Sequence, residues 1–225
     1  VQTILDSGWQ PSGLEITDGF TLKAARNRLG PEMLPDGDAH LIVELDGRQD
    51  SVLNDLAHLR ELIESLGANS VEEARDRESC EAIWKLRREF SYSLRDTGLI
   101  KLNEDIVVPR SKLVDLVKFA RSLEEQTGIP VACFGHAGDG NIHTNLMVKD
   151  YDVDEAAREK ADSALDILFK WIVENDGQIT GEHGVGLAKK RWFKEAVSPV
   201  SSKIHRDLKA TLDPNGILNP GKFIE

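Results

Sequence analysis

Three of the six histidines lie in two short glycine-rich stretches. "CFGHAGDGNIH" (133–143) holds His136, His143 and Asp139; "GQITGEHGVG" (177–186) holds Glu182 and His183 side by side. Two neutral imidazoles and a carboxylate form a common ligand set for a divalent ion with open positions, suited to Zn²⁺, Mn²⁺ or Fe²⁺. His183 is then left over as a base. His136 and His143 are seven residues apart, so they would share a face of one helix but oppose each other on one straight strand. Gly135, Gly138 and Gly140 argue against a helix. A strand, a tight loop and a second strand let both imidazoles converge, because the glycines allow positive φ and close backbone approach. Asp139 is a candidate to orient an imidazole from behind.

Each feature also has a plainer reading. A single histidine near glycines is usually a loop residue, and that reading suits His40, His58 and His205. A Gly-Asp-Gly turn alone is usually only a turn. What favours a metal or catalytic site is recurrence: histidines in two glycine loops, each after a short strand. Cys133 and His136 have a spacing that admits a structural zinc site, but Cys133 sits in an apolar strand and reads better as a core thiol. Arg87 and Lys101 are candidates for an acidic substrate, since arginine pairs bidentately with carboxylates. A solvated helix face with ion pairs to nearby glutamates has equal weight. "KKRWF" (189–193) reads as surface.

The elements that must position these residues alternate between strand and helix. "DAHLIVELDG" (38–47) and "DIVVP" (105–109) read as strands. Apolar residues recur at the helical period over 50–66 and 75–95. Ser111 is the expected cap of a helix that carries Leu113, Leu116, Val117, Ala120 and Leu123 inward and ends at Gly128. "PVACF" (130–134) is a strand. "NIHTNLMV" (141–148) alternates, with Ile142, Leu146 and Val148 on one face and His143, Asn145 and Met147 on the other. A long amphipathic helix spans 154–175, "QIT" is a short strand, and a further helix covers 199–211. The hairpin-like 130–148 unit favours an antiparallel sheet, hence an α+β fold.

Composition bounds the function. The chain has 225 residues, is 40% hydrophobic and 30% charged, and carries a net charge of −11. It is long enough for a packed core, and its acidity argues against a general nucleic-acid binder. No apolar run reaches the length of a membrane helix. Two distant cysteines, Cys80 and Cys133, give no disulfide framework, which sets a cytoplasmic location as the expectation. The first residue is Val1, so the chain is read as a piece of something longer, with 1–13 as a linker remnant.

Together and in order, "GHAGDGNIH", "GEHGVG" and "LDPNGILNPGKF" resemble the C-terminal domain of FAD-linked oxidases of the vanillyl-alcohol-oxidase/PCMH type. "NEDIVVPRSKL" (103–113) resembles the branch that holds the glycolate oxidase large subunit, D-lactate dehydrogenase and D-2-hydroxyglutarate dehydrogenase. The resemblance spans essentially the whole chain. It implies a cap domain with a large antiparallel sheet flanked by helices, of ferredoxin-like type, and a return tail over 212–225. No segment resembles the family's FAD-binding domain, so the chain by itself is expected to be inactive.

The resemblance further implies that His136, His143 and Glu182 are metal ligands and His183 the base. It makes Asn141 a polar substrate contact and Arg87 a carboxylate-binding arginine, and it places Lys101 near a family lysine. The implied activity is oxidation of a small 2-hydroxy acid with hydride transfer to FAD, which the missing domain would hold. The implied partners are that FAD-binding domain, an iron–sulfur electron-transfer subunit and a second copy of the chain. Attachment to a membrane would be peripheral, through partner subunits. Two other classes use the same residues: a stand-alone metal-dependent hydrolase, and a non-catalytic interaction module.

Overall fold

The computed structural model describes residues 1–222 and 224. Phe223 and Glu225, the end of the expected return tail, lie outside the described residues. The elements in chain order are α1 (Gln2–Asp6), β1 (Gly13–Asp18), α2 (Gly19–Leu29), β2 (Ala39–Glu44), α3 (Gln49–Ser65), α4 (Arg77–Arg95) and β3 (Ile100–Val107). There follow α5 (Leu113–Thr127), β4 (Val131–His136), β5 (Asn141–Val148), α6 (Glu155–Glu174), α7 (Lys190–Ala196) and α8 (Pro199–Leu212). The five strands form one antiparallel sheet in the order β2-β1-β4-β5-β3. This is the expected α+β architecture.

The two sheet faces differ in kind. On one, Leu14, Val131, Cys133, Ile142, Leu146, Val148 and Ile106 meet the buried sides of α5 and α6. On the other, Ala132, Phe134 and Met147 meet Ala24 of α2 and Leu94 of α4. The alternation of β5 therefore sorts its residues as its sequence demands: Ile142, Leu146 and Val148 join the larger core, and His143 and Asn145 share a face with Met147. The same parity separates Cys133 from His136, which rules out a zinc site built on both. Cys133 is a buried core thiol, and burial pushes its pKa up.

Local chemistry explains most boundaries. α4 starts in a capping box, with Asp76 accepting from the Ser79 amide at 2.9 Å. α5 ends at Gly128, in the left-handed conformation at φ 61°. Ser111, however, caps nothing: 110–112 is a single 3₁₀ turn and α5 begins without a side-chain cap. "QIT" is not a strand but one bridge, from Gln178 to Val107. His40 lies in a strand, and His58 and His205 lie in helices, not in loops. The opening segment, expected as linker, folds into α1 and places Ile4 in the larger core at 1% exposure. No helix among the described residues is long and apolar enough to cross a membrane.

Candidate active site

The polar residues collect on the α2/α4 face of the sheet. β4 and β5 form a hairpin in which Phe134 lies opposite His143 and His136 opposite Asn141. The turn between them depends on glycine. Gly135 has φ +152°, and a Cβ there would sit 2.6 Å from the Asn141 carbonyl; Gly140 has φ +76°, and its Cβ would strike the Val108 carbonyl. This bend brings the imidazoles of His136 and His143 to 6.1 Å between ring centroids.

The second loop arrives along the free edge of β3. Asp105, fully buried, grips it from the site face. Its Oδ2 accepts from the backbone amides of Gly181, Glu182 and His183 at 2.7–2.8 Å and from the Thr180 hydroxyl at 3.1 Å; its Oδ1 accepts from Asn141 Nδ2 at 2.6 Å. Burial pushes this carboxyl up, but the donors on it outweigh burial and hold it well below the usual carboxylate range. From the opposite face the same loop is held by Lys189. Its buried Nζ donates to the carbonyls of Asp105 at 2.9 Å and Ile179 at 2.7 Å, and lies 3.5 Å from Glu104. Lys189 is 5% exposed and Trp192 8%, so "KKRWF" is not a plain surface run. The carbonyls and Glu104 beneath the loop are what draw the lysine inward.

The clamp delivers Glu182 and His183 to the histidines. Glu182 Oε1 lies 3.6 Å from His143 Nε2 and 3.7 Å from His183 Nε2. The His183 ring stacks on His143 at 5.5 Å. One donor atom from each of His136, His143 and Glu182 falls within 4.8 Å of the others. Those three side chains fit a divalent ion in kind and convergence. Burial, chiefly, lowers the pKa of His143, which keeps it in the neutral form a ligand needs. His143 Nδ1 is buried with no partner among the described residues, so Nε2 is the nitrogen that faces the cluster.

The remaining expected residues are placed less simply. Arg87 is inward, 12% exposed at its side chain, with its guanidinium 5.0 Å above the Phe134 ring. Its Nε donates to Glu15 at 2.7 Å. Lys101 lies over the same ring at 5.9 Å and donates to the Ser91 hydroxyl at 2.8 Å; burial, then the charge of Arg95, lowers its pKa. Asn141 spends both amide hydrogens, on Asp105 and on the Ile106 carbonyl, so only its Oδ1 remains to meet a ligand. Asp139 is exposed, and the carboxylate that holds His136 is Glu15, bonded to its Nδ1. Glu15, Asp105 and Lys189 escaped the sequence reading as site residues. For Glu15 a signal existed: one acid between Leu14 and Ile16 in an alternating run.

A cavity of about 470 Å³ opens beside His136 and Glu15, walled by Trp9, Trp84, Arg110 and Asp139. Residues 1–223 match the family model described as FAD linked oxidases, C-terminal domain. The chain belongs to that family. It is 32% identical over 213 residues to the glycolate oxidase subunit GlcD of Bacillus subtilis, covering 95% of this chain and 45% of that protein. It is 29% identical over 220 residues to D-lactate dehydrogenase of Anaerostipes hadrus, covering 95% and 46%. Thus the chain spans about half the length of the curated relatives it matches.

Among solved structures, 4-ethylphenol oxidase from Gulosibacter chungangensis superposes with a TM-score of 0.68 at 15% identity, over 94% of this chain and 47% of that one. p-Cresol methylhydroxylase gives 0.65 at 13%, over 95% and 47%. At such identity these two establish the fold alone.

Proposed function

We propose that this chain is the substrate-binding half of a flavin-dependent 2-hydroxy acid dehydrogenase, of glycolate or D-lactate type. On this reading His136, His143 and Glu182 hold a divalent cation, Zn²⁺, Mn²⁺ or Fe²⁺. The observation that carries it is the convergence of those three donor atoms within 4.8 Å, with His183 stacked beside them. The names of the relatives, a glycolate oxidase subunit and a D-lactate dehydrogenase, support the substrate class. When bound, such a cation supplies Lewis acidity at the substrate's oxygens, and FAD supplies a hydride acceptor.

The chain's own residues do the rest. His183, 45% exposed at its side chain and adjacent to Glu182, takes the hydroxyl proton. Arg87, above the Phe134 ring, offers its two Nη groups to a carboxylate, since only Nε is committed. Lys101 adds a second positive charge over the same ring. Asn141, with its amide hydrogens spent, serves as an acceptor through Oδ1. Val200, Ile204, Leu208 and Leu212 recur every fourth residue along α8 and are all more than half exposed, a stripe that suits cover by the other half of such a protein.

The test is anaerobic mixing of the complete flavoprotein with glycolate, D-lactate and longer 2-hydroxy acids. Bleaching of the flavin by at least one of them, faster than by its 2-methoxy analogue, is the expected result. No bleaching by any 2-hydroxy acid, alongside metal-dependent hydrolysis of an ester or amide, would move the chain to the hydrolase class.

A further inference from the structure

Glu15 touches both halves of the candidate site. It lies on β1, is 3% exposed, and is brought opposite His136 by the β1–β4 register. A carboxylate that deeply buried persists as an anion only when its oxygens are paired. Each oxygen has a different partner: Oε1 accepts from His136 Nδ1, and Oε2 accepts from Arg87 Nε at 2.7 Å. One side chain therefore joins a candidate metal ligand, on the hairpin, to the candidate carboxylate-binding arginine, on α4.

Two consequences follow from the chemistry of the pair. An anionic acceptor on Nδ1 keeps the proton there, so the lone pair of His136 is on Nε2, where a cation needs it. The negative charge of Glu15 also offsets the guanidinium of Arg87, which would otherwise oppose a divalent cation nearby. Holding Arg87 through Nε leaves its outer nitrogens as the pair presented to a ligand.

We infer that Glu15 is a positioning residue that sets His136 for metal and Arg87 for the substrate carboxylate, so that the two binding events share one buried anion. The inference rests on the metal reading proposed above. It is tested in the complete protein by titrating Zn²⁺ against a chromophoric chelator, in wild type, Glu15→Gln and His136→Ala, with KM for the 2-hydroxy acid measured alongside. Glu15→Gln keeps the shape and is expected to weaken Zn²⁺ by about 10–100-fold and to raise KM. A role in folding alone would lower the melting temperature and leave the Zn²⁺ affinity unchanged, and that result overturns the inference. If His136→Ala binds Zn²⁺ as wild type does, the metal reading itself fails. If His136→Ala loses Zn²⁺ while Glu15→Gln keeps it, only the role of Glu15 fails. Should Glu15→Gln not fold, the ¹⁵N-histidine spectrum of the wild-type protein decides: the Nδ1–H tautomer at His136 is expected, and the Nε2–H tautomer overturns the inference.

Discussion

Replacing Asp105 by asparagine removes the charge that holds the 180–183 loop while keeping its shape. Four donors converge on Oδ2 and one on Oδ1. The asparagine must turn its oxygen toward the four, which sets its NH₂ against the NH₂ of Asn141. One bond is lost, leaving opposed buried donors at a cost of about 1–3 kcal/mol. The other four fall from charge-assisted to neutral strength, roughly half, or about 0.5–1 kcal/mol each. The expected destabilisation is about 3–7 kcal/mol, read by urea unfolding, and about 2–4 °C in Tm for each of those kcal/mol in a chain of this size. Amide exchange at Gly181, Glu182 and His183 should rise with it.

The pH dependence has a definite sign. The folded-state pKa of Asp105 is depressed, so its contribution is complete above the unfolded value near about 3.9 and is lost as pH falls through the folded one. The gap between wild type and Asp105→Asn must therefore narrow as pH falls below that unfolded value. A variant within about 1 kcal/mol of wild type at pH 7, with the three amides still protected, would refute the clamp.

Lys189→Met leaves Glu104 buried beside no cation and should cost about 3–5 kcal/mol in urea unfolding, with part recovered by Glu104→Gln in the same chain. Gly140→Ala forces a Cβ against the Val108 carbonyl at φ +76°, so it should cost more than about 1 kcal/mol by the same assay. His183→Ala in the complete protein should lower kcat by about 10²–10⁴-fold while flavin content, measured by absorbance, is unchanged.

How far the site was legible depended on sequence distance. The split of β5 into two faces follows from alternation alone, and it already put His143 with Asn145 and Met147. The turn that joins the histidines was legible because only glycine tolerates it. Glu15 and Arg87 were harder, because their partners lie far along the chain: Glu15 bonds His136 across 121 positions and Arg87 across 72. No local pattern marks such a pair. Lys189 misled for a different reason. A run of basic residues in an acidic protein reads as solvated, and it is the two carbonyls and Glu104 beneath the loop that make burial favourable. "QIT" stops at one bridge because the amides that follow it, at Gly181, Glu182 and His183, turn onto Asp105 Oδ2 instead of continuing a ladder with β3. Ser111 is the type of residue that caps helices, but the backbone there turns as 3₁₀ before α5 begins.

The central claim is that His136, His143 and Glu182 together bind a divalent ion. Metal analysis of the complete protein, purified without chelator, tests it most directly when wild type is set beside His143→Ala and Glu182→Gln. About one ion per chain in wild type, falling below a tenth of that in both variants with flavin content unchanged, is the predicted result. Equal metal in all three, or none in wild type even after Zn²⁺, Mn²⁺ and Fe²⁺ are each supplied, would contradict it.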